Sequence, residues 1–259
     1  MGRVLEKGRF LEHDGKSVEY RNGSRSQLNT SNEVLEHFNR GATIPPGFVL
    51  TAEGTAVSAA TYGTGAGGWA VITSDDVLAK SHSLNGAGLN WQADRQSEGS
   101  PLVYEIRVKA GTLAGREFWF GLSDDLADTD PIALSLTSTF TTSVPTDGVF
   151  IGYSDTPTSG AAFTTGGNQH AAISINGDTN VVAGVGGGAF ATDTFYTYRI
   201  EVSSEGNAVW FVNGKVIASK GEAISVDVPL THVAYAVPRA TAGSSEVVMT
   251  IDYIYVGGM

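Results

Sequence analysis

Four carboxylates, Asp124, Asp125, Asp128 and Asp130, crowd into the run SDDLADTDP. Such a loop offers the several oxygen ligands that a hard cation like Ca²⁺ takes. The spacing is not that of an EF-hand, which also needs an internal Gly and a distal Glu. A solvated acidic loop is therefore the plainer reading, and a Ca²⁺ site the sharper one. Two glycine runs match a dinucleotide fingerprint in letter, Gly63 to Gly68 as GxGxxG and Gly184 to Ala189 as GxGxxA. That fingerprint works only where a helix follows and turns its N-terminus to the pyrophosphate. Here WAVITS and FATDTFYTYR follow, better suited to strands or loops, so both runs are expected to be turns. His13, His37, His82, His170 and His232 are scattered without HExxH or HxH spacing and read as surface or packing residues. No GxSxG is present. The absence of cysteine excludes disulfides, thiolate metal sites and cysteine nucleophiles.

Aromatic side chains are the other chemistry on offer. Trp69, Trp91, Trp119 and Trp210 could each stack on a sugar ring. Trp119 lies between Phe118 and Phe120, and Trp210 between Val209 and Phe211, so both read as core. Trp91, beside Asn90, Gln92 and Asp94, is the candidate glycan contact.

The elements that must position these residues are strands. From Phe195 to Ser219 the chain reads as three alternating apolar runs joined by two turns. Tyr196, Tyr198, Ile200 and Val202 share one side of a period-2 pattern, with Thr197, Arg199 and Glu201 on the other. Glu205-Gly206-Asn207 breaks the run, and Asn213-Gly214 supplies the positive-φ pair of a tight hairpin. Leu102 to Lys109 alternates Tyr104, Ile106 and Val108 against Glu105, Arg107 and Lys109, a half-buried strand whose wet face is a cross-strand charge ladder. Glu117–Leu122, Gly148–Tyr153, His170–Ile175, Val181–Val185, His232–Val237 and Val247–Val256 follow as further strands. So many strands in one chain predict two packed antiparallel sheets with long-range connections.

The first 45 residues differ. They carry seven Lys/Arg against six Asp/Glu, while the rest carries nine against twenty-one within a net charge of −11. An acidic body repels nucleic acid and anionic membranes, so neither is expected as a partner. No signal-peptide pattern and no apolar run of membrane-spanning length is visible, and synthesis in a cytoplasm is the expectation. Thr30-Ser31-Asn32-Glu33 resembles a capping box, predicting a short helix with Val34, Leu35 and Phe38 on one face and Gly41 as its stop. Ile44-Pro45-Pro46-Gly47 reads as a hinge. Residues 1–45 are thus expected to form an extended arm, either disordered or ordering against a partner, and residues 46–259 the β-sandwich.

Several segments together resemble the concanavalin A-like jelly roll: LVYEIRVKAG, EFWFGLSD, DGVFIGYSD, YTYRIEVSSEGNAVWFVNGKVI and TIDYIYVGG. In this order they also resemble a domain of tailed-bacteriophage structural proteins, of the capsid-decoration or head-fibre type. That likeness covers roughly Phe48 to Gly257. It implies a virion protein, not an enzyme, made in the host cytoplasm. On this reading the arm docks on the major capsid protein or another virion subunit, and the chain forms a homo-oligomer, with a trimer as one form. Arg3, Arg9, Phe10, Leu11, Val34, Leu35 and Phe38 are the expected attachment contacts. The alternative is a carbohydrate-binding adhesin, with or without Ca²⁺. Glycosidases on this sandwich carry an E-x-D-x-x-E strand, which this chain lacks. A hydrolase would need two carboxylates about 5–10 Å apart in a cleft.

Overall fold

The computed structural model describes residues 10–13, 16–21, 24–27, 34–38, 44–45, 47–52, 61–63, 69–74, 82–88, 90–94, 101–111, 116–125, 145–154, 169–177, 179–238 and 247–258. The chain is an all-β, two-sheet antiparallel jelly-roll sandwich. Its N-terminal strands β1 (Phe10–His13), β2 (Lys16–Arg21) and β3 (Ser24–Gln27) form a small meander. Next come β4 (Val34–Glu36), β5 (Phe48–Ala52), β6 (Thr61–Gly63), β7 (Trp69–Ser74), β8 (His82–Gly86), β9 (Leu102–Ala110) and β10 (Arg116–Ser123). The remainder is β11 (Asp147–Ser154), β12 (Gln169–Asn176), β13 (Thr179–Ala189), β14 (Tyr196–Val202), β15 (Ala208–Val212), β16 (Lys215–Lys220), β17 (Thr231–Pro238) and β18 (Val247–Gly258).

One sheet runs β13-β12-β11-β10-β17-β8-β5 and the other β16-β15-β14-β9-β18-β7-β6, with β4 paired to β18. The alternation read in the sequence is what closes the sandwich. Tyr104, Ile106 and Val108 on β9, Tyr198 and Ile200 on β14, and Phe118, Phe120 and Leu122 on β10 all turn into the interior. Two polar links cross that interior. The Tyr104 hydroxyl donates to the Val233 carbonyl at 3.0 Å, and Tyr198 Oη meets His170 Nδ1 at 3.1 Å. Burial raises both phenols well above their ordinary value, so they stay protonated. The Asn213-Gly214 turn has both residues at positive φ, as its hairpin requires.

The helix expected near residue 34 is not there. Val34, Leu35 and Glu36 pair as a strand with Val256, Tyr255 and Ile254. Leu35 packs with Val103 and Tyr255, while Phe38 is fully buried in the main core beside Phe48. An isolated helix of this length is marginal, whereas adding a strand to an existing sheet gains hydrogen bonds and buries two large side chains at once. Gly184 to Ala189, expected as a turn, continues β13. Among the described residues no helix is long and apolar enough to cross a membrane.

Two histidines sit in this interior. His170 is ringed by Phe190, Tyr196 and Tyr198. His232 packs edge-on to Phe48, and neither of its ring nitrogens has a partner. Burial lowers both from the usual 6.5 to about 4. Between those values the unfolded chain binds more protons than the folded one, so stability present above the unfolded value is lost as the pH falls towards 4. At about 1.4 kcal/mol per unit, each ring accounts for roughly 3 kcal/mol of acid lability. The urea midpoint is predicted to fall steeply between about pH 6.5 and 4, and His232→Leu to remove about half of that dependence. An unchanged slope in the variant would contradict the assignment.

Candidate functional site

Because Phe118, Phe120 and Leu122 point inward, Trp119, Gly121 and Ser123 must face outward on β10. The register then lays down rows across the outer face of the seven-stranded sheet. Ser83, Tyr235, Trp119 and Gly152 form one row. Asn85, Val233, Gly121, Phe150 and Ile173 form the next. A Cβ at Gly152 would fall on the Trp119 ring, and one at Gly148 on the Phe150 ring, so both aromatics lie across glycine on this face. Trp119, Phe150, Ala171, Ile173, Ile175, Val233 and Tyr235 make a second apolar cluster, separate from the main core and almost wholly buried.

Two polar atoms in this cluster are left over. Asn85 Nδ2 donates to Ser83 Oγ at 2.9 Å, leaving Asn85 Oδ1 buried without a donor. The Tyr235 hydroxyl is likewise buried without a partner. Burial raises the Tyr235 phenol far above its ordinary value, and the Asp125 carboxylate pushes it the same way. The phenol therefore keeps its proton and can donate. An orphaned donor and an orphaned acceptor lie on neighbouring strands, beside an indole. That set is complementary to a ligand hydroxyl, which both donates and accepts. Each orphan costs about 1–3 kcal/mol in the unliganded fold.

The outer face of the eight-stranded sheet is built differently. Arg199 stands directly opposite Glu105, with its guanidinium 3.4 Å from Glu105 and 2.7 Å from Glu201. The Tyr253 hydroxyl donates to Glu105 at 2.6 Å, and burial followed by Glu105 raises the Tyr253 phenol. Arg107 pairs with Asp252. The ladder expected from Glu105, Arg107 and Lys109 is thus present, completed by partners on β14 and β18. It ends in half-buried aromatics: Trp69 stacks on Phe195 at 5.9 Å, and Arg107 lies 4.4 Å from the Phe195 centroid.

The other sequence candidates fall as follows. Trp91 is 3 % exposed and bridges to Leu230, so it is a core residue and offers no glycan surface. Its polar neighbours misled; Gln92 turns away to the Asp227 carbonyl at 2.6 Å. Both Asp124 oxygens accept from Thr146, at 3.1 and 2.5 Å, which makes that carboxylate a turn brace. Asp128 and Asp130 lie outside the described residues, and among the described residues no group of three His, Asp or Glu could hold a metal. Arg3 and Arg9 also lie outside them. Phe10 and Leu11 belong to β1, though their side chains lie outside the description. Leu35 and Phe38 are committed to the chain's own packing and Val34 is half-buried, so this trio is not an exposed docking face. Sequence reasoning missed Tyr235 and Asn85. Their orphaned atoms arise from packing, which no spacing encodes.

No model of a known protein family matches the chain, and no curated protein matches it by sequence. Solved structures do match. A Bacillus licheniformis beta-glucanase superposes with TM-score 0.54 at 12 % identity, over 88 % of this chain and 99 % of its own. The carbohydrate recognition domain of Emp47p gives 0.55 at 11 %, over 89 % and 97 %. The Crh5 transglycosylase gives 0.53 at 12 %, over 88 % and 84 %. The likeness shows the fold, a concanavalin A-like jelly roll. It overturns the expectation that the chain is not an enzyme, since a glucanase and a transglycosylase share this sandwich. Nothing in these findings supports the bacteriophage part of the resemblance. The glycine rule on the seven-stranded sheet gives a direct check: Gly152→Ala should displace Trp119 and cost about 1–3 kcal/mol in urea denaturation, with a changed near-UV circular dichroism. A neutral substitution would contradict the described packing.

Proposed function

We propose that this chain is a carbohydrate-recognising jelly-roll protein that receives a sugar against the outer face of the seven-stranded sheet. The observation that carries the proposal is the orphaned pair, Tyr235 Oη and Asn85 Oδ1, beside Trp119. A sugar hydroxyl satisfies both atoms, and the indole offers an apolar face to the ring's C–H groups. Likeness to a carbohydrate recognition domain and to a glucanase supports the same reading. Both atoms are buried in the unliganded chain, so binding is coupled to opening of this face. Association should then be slower than the typical 10⁵–10⁷ M⁻¹s⁻¹ or so.

The test is Tyr235→Phe, read by a glycan array and by denaturation. Removing an unpartnered buried hydroxyl should stabilise the unliganded protein by about 1–3 kcal/mol. The same change should weaken glycan binding about tenfold or more, as expected where stability has been given up for function. A variant that is destabilised, or that binds its glycan as well as before, would sink the proposal.

A second reading keeps one observation in its favour. Among the described residues, strands β1 to β3 pair with one another and with neither sheet of the sandwich. In a virion structural protein that meander, with Arg3, Arg9, Phe10 and Leu11, would dock on the major capsid protein or another virion subunit, as a homo-oligomer such as a trimer. Deletion of residues 1–30 should then abolish particle association and leave the sandwich folded; retained association would dismiss it.

A further inference from the structure

The open side of the Tyr235 site lies on the edge strand β5, at a residue not yet given a role. Phe48 and Leu50 pack into the main core, so Val49 between them faces outward. It stands opposite Asn85, which stands opposite Val233, so the three share one row of the seven-stranded sheet. Along that row exposure falls from 45 % at Val49 to 3 % at Asn85 and 0 % at Val233. β5 is the last strand of the sheet, so solvent reaches this row from the β5 side. A ligand approaching Asn85 from there meets the Val49 isopropyl group first.

The supply of hydrogen-bonding groups on this face is small, and it limits the ligand. Asn85 Nδ2 already donates to Ser83 Oγ, while Gly121, Phe150 and Val233 bring no polar side chain to the row. The orphaned donor at Tyr235 and the orphaned acceptor at Asn85 satisfy one hydroxyl between them. A further hydroxyl pressed against this face loses its water and gains no partner, which disfavours binding. The O4 edge of a hexose carries O6 as well, because C6 hangs on C5 beside C4. Directly opposed side chains have Cβ atoms about 4.5–5.5 Å apart, so a hexose held by O4 at Asn85 sets its O6 hydroxyl beside Val49. A 6-deoxyhexose sets a methyl group there instead. It brings one hydroxyl to the orphaned pair and an apolar group to an apolar neighbour.

We propose that the site selects a 6-deoxyhexose with a free C4 hydroxyl, held by that hydroxyl between Tyr235 and Asn85 with its methyl group on Val49. Val49 is then a specificity-determining residue. The proposal rests on the glycan-binding reading of this same face and adds the class of sugar. Calorimetric titration of the full chain with two matched pairs of methyl glycosides tests it: α-L-fucoside against α-L-galactoside, and α-L-rhamnoside against α-L-mannoside. The members of each pair differ only at C6, and the two pairs differ from each other in whether O4 is axial or equatorial. In the pair whose C4 geometry fits, the deoxy sugar is expected to bind about tenfold tighter than its hexose. Val49→Thr keeps the shape of the side chain, adds a hydroxyl at an exposed strand position, and should abolish that preference. Tyr235→Phe should weaken both members alike and leave their ratio unchanged. Equal binding within both pairs, or a preference that survives Val49→Thr, would overturn this inference and spare the site. So would a Tyr235-dependent glycan on an array when none of the four sugars binds. Binding untouched by Tyr235→Phe would remove the site and this inference with it.

Discussion

Strict alternation of side chains along β10, β11 and β17 is the constraint on which the rest of this structure depends. Burying Phe118, Phe120 and Leu122 between the sheets leaves no choice about where Trp119 and Ser123 point. The same holds for Phe150 once Val149 and Ile151 are inside, and for Tyr235 once Ala234 and Ala236 are. The main core therefore writes the composition of the outer face as firmly as its own. Glycines at 121, 148 and 152 then decide how large aromatics can lie there, because a Cβ at any of them would collide with a ring or a backbone. A sheet face built this way has a fixed composition, but its aromatics and orphaned atoms are buried, so a ligand reaches them only when the face opens.

The molecule leaves several polar groups unsatisfied to keep this arrangement. Tyr104 and Tyr198 find partners across the interior, so their hydroxyls stitch the two sheets together. Tyr235 and Asn85 Oδ1 do not, and they sit on the outer face, next to aromatic surface. Unpartnered atoms occur inside as well, at Trp210 Nε1 in the main core, so what marks Tyr235 and Asn85 is an orphaned donor and an orphaned acceptor on neighbouring strands beside an indole. The buried histidines are a different matter. His232 has no partner on either nitrogen, and burial lowers its titration, so its effect falls on acid stability.

Much of the sandwich was legible in the sequence, for reasons that are local. Asn213-Gly214 demands a tight turn, and Tyr196 to Val202 alternates so cleanly that its buried side follows from spacing. The charge ladder at Glu105 and Arg107 was legible for the same reason. The short segment at Val34 was not, since its capping-box letters fit a helix while its fate is settled by a distant strand, β18. Trp91 failed in the opposite way: polar neighbours suggested exposure, yet the ring packs inside and the polar groups turn outward. Orphaned atoms are the least legible of all. They depend on which groups do not meet in three dimensions, and a sequence records only which groups exist.

The account's central claim is that Tyr235 Oη and Asn85 Oδ1 are unpartnered because a ligand hydroxyl completes them. A structure of the chain with a bound oligosaccharide tests this most directly. It should place a sugar hydroxyl within about 3 Å of both atoms, with the ring against Trp119. A sugar held elsewhere while both atoms stay unpartnered would contradict it.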